Sequence, residues 1–597
     1  MKNFALLEVL AFVTVVLVAC GDDGNGTSFV VPDSSSAVIP ATSSAVIPDS
    51  IGDLSSSSSS WIVATSSSSI STLRTSTSLS AGSSSRNDVK SSSSWILSSN
   101  DSRTSSSLQN DIKDTTKISY ALKPFDGPLP NPHKGFTVPT EGTWVFVPEF
   151  EYGPYGSLNN KAWNLVTYGS GYQKWNKLNP AKDVYDWTEL DKLLDALAEH
   201  NMGYALRVLP YSPSFVKGND TPEEEYDWTP KFVYEMGAKK ITATVQWNGY
   251  RATVPVWDDP IYLQAAKDFG TALAQKYDGD PRIEYIDIRS FGEWGEWHAS
   301  HLDGSEMPSE EIQIDLLNHY ASVFKKTLLV LPSSGMGDVY THALSLGITK
   351  RDDGFISIPG RPDSLVRAYE ANLPTIAENQ AGYATLLKNN DIIHGGYLKW
   401  TPQRWVDAIT TAHLTYYVLD QDSDEGYKFY KENKALADSM SKVIGYNFTV
   451  TKAELVTISE SVNGNAADSA ESVVSTAATS TLNITIKNTG VAPCFFDLYM
   501  VAEFVDSAGT ALAQLGKTVK IPKGTFKDGM SKNFSFSGNL PAEVFNATQP
   551  AVSATQSKVR VALSLYESEG SFKNGKNPTV RFDNDGILEN KKLLLRE

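Results

Sequence analysis

The sequence contains little cysteine and little histidine, and both shortages limit its chemistry. Among 597 residues there are 2 cysteines, Cys20 and Cys494, and 8 histidines. If Cys20 is modified, as argued below, Cys494 has no partner within the chain, which excludes a disulfide framework and a cysteine-based metal site. The sequence also lacks H-E-x-x-H, a phosphate-binding glycine loop and G-x-S-x-G. We therefore expect neither a metal nor a cofactor.

Positive charge is also scarce. Lysine and arginine total 52 against 69 aspartate and glutamate residues, which gives a formal net charge of −17. An acidic chain of this kind is repelled by phosphate backbones and by anionic lipid surfaces. We expect no nucleic-acid partner, and no membrane contact through the protein surface itself.

The N-terminus predicts export. Residues 1–20 carry Lys2 and then an apolar run from Ala5 to Ala19, which is shorter than a typical transmembrane helix. The run ends in Leu17-Val18-Ala19-Cys20, which resembles the bacterial lipobox, so Cys20 is the expected lipidation site. The protein would then be lipid-anchored at the outer membrane or cell surface; the alternative is an ordinary secretory signal. Residues 21–117 are dominated by serine and predict a disordered linker.

Residues 118–446 alternate short apolar runs with amphipathic helical patterns, which predicts an α/β fold with a parallel sheet. Eight strands are expected, the number that closes a TIM barrel: Gly135–Val138, Leu165–Tyr168, Tyr204–Leu209, Ile283–Ile288, Thr327–Leu331, Gly354–Ile358, Thr375–Ala377 and Leu414–Leu419. Residues 447–597 change to short alternating strands without helices, so we expect a C-terminal antiparallel β-sandwich as an accessory domain.

Carboxylic acids and indoles concentrate where active residues of a barrel lie, at the carboxyl ends of strands. Glu293 and Glu296 follow the expected fourth strand in R-S-F-G-E-W-G-E-W-H, and Glu378 follows the expected seventh. Arg207 and Arg289, on the third and fourth strands, either keep a nucleophile ionised or form structural ion pairs. His298 and Tyr172 are candidate partners of sugar hydroxyls. The candidate stacking platforms for a sugar ring are Trp175, Trp257, Trp294, Trp297 and Trp400.

These motifs resemble a known group of proteins. Carboxylates after the fourth and seventh strands resemble the catalytic pair of retaining clan A glycoside hydrolases. Trp175 to Trp187 resembles an element of beta-galactosidase-like barrels. Asn131 to Phe136, Gly292 to His298 and Pro374 to Glu378 are similar to a family of secreted barrels of unknown function with N-P-x-R-G-F, G-x-W-G-E-W and P-x-x-G-E motifs. Two departures are Gly295 in place of the clan's Asn before the acid, and Ala377 in place of Gly.

The resemblance implies retaining hydrolysis of an extracellular polysaccharide or oligosaccharide, with Glu378 as nucleophile. The identity of the acid stays open. Strand alternation favours Glu293 if the strand runs straight on, but two glycines interrupt it, and the family motif favours Glu296. Two other functions compete: a carbohydrate-binding lipoprotein whose barrel lacks catalysis, and a transglycosylase that uses the same residues.

Overall fold

The computed structural model describes residues 112–139, 166–199, 201–332, 334–389, 397–418, 423–461, 477–506, 508–540 and 559–596. The predicted signal peptide with Cys20, and the predicted linker up to residue 111, lie outside these residues. Among the helices in the described ranges, none combines the length and the apolar character needed to cross a bilayer.

Eight parallel strands close into a barrel, which confirms the predicted TIM-barrel fold. In chain order they are Gly135–Pro139, Val166–Lys174, Gly203–Leu209, Ile283–Asp287, Leu328–Leu331, Thr349–Asp352, Ile376–Glu378 and Tyr416–Val418. The eighth strand pairs with the first through Tyr417 and Phe136, which completes the ring. The strands after which Glu293, Glu296 and Glu378 were placed are thus the fourth and the seventh, as predicted.

Helices between the strands form the outer layer. The longer ones are Thr188–Glu199, Pro260–Tyr277, Glu310–Val323, Gly337–Ser345, Arg361–Glu370, Tyr383–Lys388, Pro402–Thr411, Ser423–Glu432 and Lys434–Val443. Their amphipathic spacing explains their orientation: Thr188–Glu199 buries Leu190, Leu193, Leu194 and Leu197 on one face. Pro260–Tyr277 begins where the Asp259 side chain accepts hydrogen bonds from the backbone of Ile261 and Tyr262.

The sixth strand was predicted wrongly. Gly354–Ile358 reads as a β-strand in sequence, but it forms turns, and the strand is Thr349–Asp352. The error has a physical reason, because the segment T-K-R-D is fully polar and charged and is typical of a solvated loop. All four side chains are nevertheless buried. Arg351 pairs with Asp287 inside the barrel, whereas Asp352 pairs with Lys350 and with Arg361 of the outer helix, so the charges are compensated.

Strand alternation produces two layers of side chains inside the barrel. The lower layer is apolar and contains Tyr168, Ala205, Tyr285, Val330, Ile376 and Tyr416. Two residues further along the third, fourth and seventh strands, the same face carries Arg207, Asp287 and Glu378. A charged layer therefore lies directly above an aromatic floor, toward the carboxyl ends of the strands.

The segment between the third barrel strand and the helix Pro260–Tyr277 forms a small structure of its own. Its strands Lys240–Val245 and Arg251–Pro255 make an antiparallel hairpin, and Val245 pairs with Leu302 in the strand Leu302–Asp303. Short helices Glu223–Tyr226 and Lys231–Glu235 precede the hairpin. The hairpin is thereby fixed to the loop that follows the fourth barrel strand.

The C-terminal part is an antiparallel β-sandwich, as expected. One sheet contains Ile112–Ser119, Phe448–Ser461, Ala477–Asn488 and Ser531–Leu540, and the other contains Leu498–Val505, Ala511–Gln514, Val519–Ile521, Arg560–Tyr566 and Leu593–Leu594. The predicted linker end at residue 117 and barrel start at Ile118 need correction, because Ile112–Ser119 is a strand that pairs with Phe448–Ser461. The sandwich therefore takes its first strand from ahead of the barrel.

The N-P-x-R-G-F-like motif joins the two parts. The Asn131 side-chain amide donates to the Arg581 carbonyl at 3.0 Å, and the Arg581 N–H donates back to Asn131 Oδ1 at 2.8 Å. Lys134 donates from Nζ to the Tyr446 carbonyl at 2.8 Å. The motif thus has a structural function at the junction of barrel and sandwich.

Candidate active site

The charged layer forms one connected network at the mouth of the barrel. Asp287 and Arg351 have side chains with no exposed surface. Arg207 Nη2 lies 3.2 Å from Glu378 Oε2, and Arg207 pairs in register with Asp287 on the neighbouring strand. Because buried charges are stable only when paired, each member of the network constrains the position of the others.

Arg351 is the centre of this network. Its Nε donates to Asp287 Oδ2 at 2.9 Å, and its Nη2 donates to Glu296 Oε1 at 2.8 Å. Its Nη1 donates to Glu378 Oε2. One planar guanidinium thus contacts both carboxylates that the motifs selected as the catalytic pair, which brings the ends of the fourth and seventh strands together.

The loop after the fourth strand is tightly wound, and this places Glu296. Gly292, Trp294, Gly295 and Trp297 all have left-handed backbone, with φ of 75°, 49°, 68° and 62°. A Cβ on Gly292 would lie 2.2 Å from the His298 carbonyl oxygen, so a side chain does not fit there. Left-handed backbone at two tryptophans costs on the order of 1 kcal/mol each, a strain typical of functional loops. Because this loop is not extended, side chains no longer alternate as they do along the strand. A straight strand would have placed Glu293 on the same face as Asp287.

Glu296 therefore reaches the arginines and Glu293 does not. Glu296 Oε1 lies 2.9 Å from Arg289 Nη1 in addition to its contact with Arg351, and its side chain is 14% exposed. Burial opposes ionisation, but Arg289, the neighbouring imidazole of His298 and the charge of Arg351 hold the pKa of Glu296 well below its usual value. Glu296 is therefore ionised at neutral pH.

Glu293 is buried in a different set of contacts. Its Oε1 accepts the backbone N–H of His301 at 2.7 Å, and its Oε2 lies 2.9 Å from His301 Nδ1. His298 lies between the two glutamates, with Nδ1 3.6 Å from Glu293 Oε1 and Nε2 3.7 Å from Glu296 Oε2. Although burial lowers it, contacts with Glu293 and Glu296 raise the pKa of His298 to about 9.

Among the five predicted tryptophan platforms, only Trp294 has a partly exposed ring. Four need correction, because their ring faces are covered by core packing: Trp175, Trp257, Trp297 and Trp400 are 4%, 1%, 3% and 5% exposed. Trp175 packs against Tyr262 and Phe269, and Trp257 against Tyr211 and Tyr262. The predicted Tyr172 stacks on the buried Trp228.

Sequence reasoning missed several residues of the site. Arg351 was missed because the sixth strand was predicted at Gly354–Ile358, which begins after this residue. Asp287 was counted on the strand, but its contact with two arginines could not be inferred. Trp247, at the tip of the hairpin, stacks on Trp294 with ring centroids 5.9 Å apart and planes at 11°. His301 had one available signal, since it stands three residues after His298.

A family match adds evidence for part of the barrel. The sequence model of the beta-galactosidase family Glyco_hydro_42 matches residues 158–296, which run from ahead of the second barrel strand to Glu296. The predicted resemblance to beta-galactosidase-like barrels is thereby confirmed over this segment.

Solved structures similar to the chain are glycosidases with low identity. A beta-galactosidase from the psychrophilic Marinomonas ef1 is 12% identical with a TM-score of 0.31, over 51% of this chain and 60% of its own. Endo-glycoceramidase II from Rhodococcus sp., as its lactosyl-enzyme intermediate, is 12% identical with a TM-score of 0.31, over 70% of this chain and 100% of its own. Xylanase 10B from Thermotoga maritima is 11% identical with a TM-score of 0.28, over 51% of this chain and 78% of its own. No curated protein matches the chain.

Proposed function

We propose that the chain is a glycoside hydrolase that cleaves glycosidic bonds by a retaining two-glutamate mechanism, with Glu378 as nucleophile and Glu296 as acid and base. One observation carries the proposal: the guanidinium of Arg351 donates to both carboxylates. Carboxylates that share one guanidinium lie close together, which fits the separation of about 5–5.5 Å in retaining enzymes better than the roughly 6.5–9.5 Å of inverting ones.

The contacts support a division of roles between the two glutamates. Glu378 accepts from both Arg207 and Arg351 and has a side chain 7% exposed, which suits an oriented carboxylate nucleophile that attacks the anomeric carbon. Glu296 is more exposed and lies on the wound loop, where it can reach the leaving oxygen. It would protonate this oxygen and then take a proton from the water that releases the sugar.

Glu296 must gain a proton before it can act as an acid. Two arginines and His298 oppose this protonation, as the low pKa of Glu296 indicates. A bound sugar that displaces Arg351 from Glu296 would remove one of these cations and exclude water, and both changes raise the pKa of a carboxyl group. The proposal therefore includes a substrate-dependent separation of Glu296 and Arg351.

The contact of Arg351 with both carboxylates also supports a second candidate function. A barrel whose carboxylates stay ionised within an arginine network can bind a sugar through hydrogen bonds and the stacked pair of Trp247 and Trp294 without cleaving it. Such a protein would be a non-catalytic carbohydrate-binding lipoprotein. In either case we propose an extracellular polysaccharide or oligosaccharide as ligand and export with a lipid anchor at Cys20, on the basis of the lipobox-like sequence.

The test is sugar release by the full chain from a panel of plant and bacterial polysaccharides and aryl glycosides, beside Glu378→Gln and Glu296→Gln. Glu370→Gln is a matched control, since Glu370 is exposed at the end of the helix that precedes the seventh strand. We expect both site variants to lose about 10²–10⁴-fold or more in kcat and the control to keep full activity. Proton NMR of the first product should show retained anomeric configuration.

Three other outcomes would change the proposal. Loss in Glu293→Gln with full activity in Glu296→Gln would transfer the acid role to Glu293. An inverted product would contradict the retaining mechanism. Binding of a glycan without release, unchanged by either substitution, would support the carbohydrate-binding protein instead.

A further inference from the structure

Glu293, His298 and His301 form a cluster next to the proposed catalytic pair, and the hydrolytic mechanism does not use it. Each residue offers one ligand atom, and the three atoms lie within 4.8 Å of one another. The carboxylate of Glu293 has no exposed surface, whereas the His301 side chain is 47% exposed. The cluster thus connects a buried anion with the solvent at the barrel mouth.

We infer that Glu293, His298 and His301 bind a divalent first-row transition metal of the zinc class. Two imidazoles and one carboxylate are a ligand set that zinc uses in sites with an open fourth position. Imidazole ligands favour zinc and its transition-metal neighbours over calcium and magnesium, which prefer oxygen ligands. The inference concerns a site separate from the Glu296 and Glu378 pair and does not depend on hydrolysis.

The distances between the ligand atoms fit this assignment. Zinc binds imidazole nitrogen at about 2.0–2.1 Å and carboxylate oxygen at about 2.0–2.2 Å, so two of its ligand atoms are at most roughly 4.3 Å apart. His301 Nδ1 lies 2.9 Å from Glu293 Oε2, and His298 Nδ1 lies 3.6 Å from Glu293 Oε1. His298 Nδ1 also contacts Ser300 Oγ at 2.8 Å, and it would exchange this contact for the metal.

The surrounding structure holds the ligands in place. The backbone N–H of His301 donates to Glu293 Oε1 at 2.7 Å and orients the carboxylate. The hairpin fixes the backbone of His301, because Gln246 donates its N–H to the His301 carbonyl at 3.0 Å. Trp247 packs edge-to-face on the His301 ring with centroids 5.5 Å apart. These contacts limit the motion of the loop and reduce the entropy lost on metal binding.

A metal at this position would also affect the candidate acid. With Nδ1 of His298 on the metal, its Nε2 carries the proton and faces Glu296 Oε2 at 3.7 Å. His298 would then be a positioning residue that connects the metal to Glu296. Only this consequence rests on the proposed function, and the test below does not use activity.

The experiment titrates ZnCl₂ into the chelator-treated full chain by isothermal calorimetry. We expect one zinc per chain that His301→Ala weakens by at least about 100-fold, since even outer-shell substitutions cost roughly 10–100-fold. His301 is half-exposed, so its replacement should fold. His342→Ala is the matched control, because His342 is a partly exposed histidine outside the cluster, on the helix Gly337–Ser345, and contacts Asn318.

Cobalt(II) gives a second readout that does not depend on affinity alone. We expect a visible ligand-field spectrum in wild type and in His342→Ala that is lost in His301→Ala and in Glu293→Gln, with circular dichroism to verify folding. Absence of stoichiometric zinc in wild type would overturn the inference and leave an ion pair of Glu293 with its histidines. Equal zinc binding by wild type and His301→Ala would also overturn it, because the ion would lie elsewhere.

Discussion

Asp287 Oδ2 accepts a hydrogen bond from Arg351 Nε at 2.9 Å, and this contact turns the two Nη groups of Arg351 toward Glu296 and Glu378. The same oxygen accepts from Arg289 Nε at 3.0 Å. Asp287 thus orients two guanidinium groups at once. It touches neither proposed reacting atom, so we regard it as a positioning residue for the site.

The first prediction concerns the stability that this contact contributes. Asp287→Ala leaves two buried arginines without their shared carboxylate, and removal of one partner from a buried pair costs about 3–5 kcal/mol. Asp195→Ala is the control, because Asp195 also pairs with an arginine but has a side chain 69% exposed, and such pairs contribute about 0–1 kcal/mol. Urea unfolding of both variants measures the difference. Equal losses would contradict the central role of Asp287.

The second prediction concerns the pH profile. Burial alone would raise the pKa of Glu296, whereas Arg289 and Arg351 lower it. Arg289→Gln removes one of these cations, so the pKa of Glu296 rises. A general acid is active only while protonated, and its activity is lost as pH rises through its pKa. The basic limb of kcat/KM should therefore move to higher pH in Arg289→Gln but not in Arg282→Gln, which is remote from the site. An unmoved limb would exclude Glu296 as the acid.

The third prediction separates exposed from buried tryptophans. Trp257→Ala should destabilise the fold by about 3–5 kcal/mol, as expected for a large ring removed from a core. Trp247→Ala should have a smaller effect on stability, but it should weaken glycan binding by about 0.5–1.5 kcal/mol, because an aromatic face is lost at the mouth. Thermal unfolding and binding isotherms of the two variants measure both effects. Weaker binding in a well-folded Trp257→Ala would contradict this assignment.

Local sequence patterns predicted the secondary structure and the architecture better than the contacts of the site. Period-two and helical spacing were sufficient for the barrel, for its fourth and seventh strands and for the sandwich, because these patterns reflect burial. Arg351 was not predicted as a site residue, because charged residues on a strand are buried only when they have partners that are remote in sequence. For Arg351 these partners are Asp287, Glu296 and Glu378. Burial of four tryptophans was missed for the same reason. The left-handed turns at Gly292 and Gly295 were indicated, but the resulting direction of Glu296 was not.

The last prediction concerns Lys134 at the junction of barrel and sandwich. Burial lowers its pKa from 10.5 to about 7 in the folded protein. Between these two values the unfolded chain binds more protons than the folded one, so stability rises with pH, by at most about 1.4 kcal/mol per pH unit. Below pH 7 the lysine is charged in both states and its burial destabilises the fold.

Lys134→Met removes this titration and keeps most of the apolar packing. Its free energy of unfolding should therefore rise less than that of wild type between pH 7 and pH 9, and it should exceed wild type most clearly below pH 7. Lys192→Met is the control, because the Lys192 side chain is 56% exposed. Urea unfolding at three pH values measures the slopes. Parallel slopes for wild type and Lys134→Met would mean that Lys134 keeps its proton in the fold, held by its contact with the Tyr446 carbonyl.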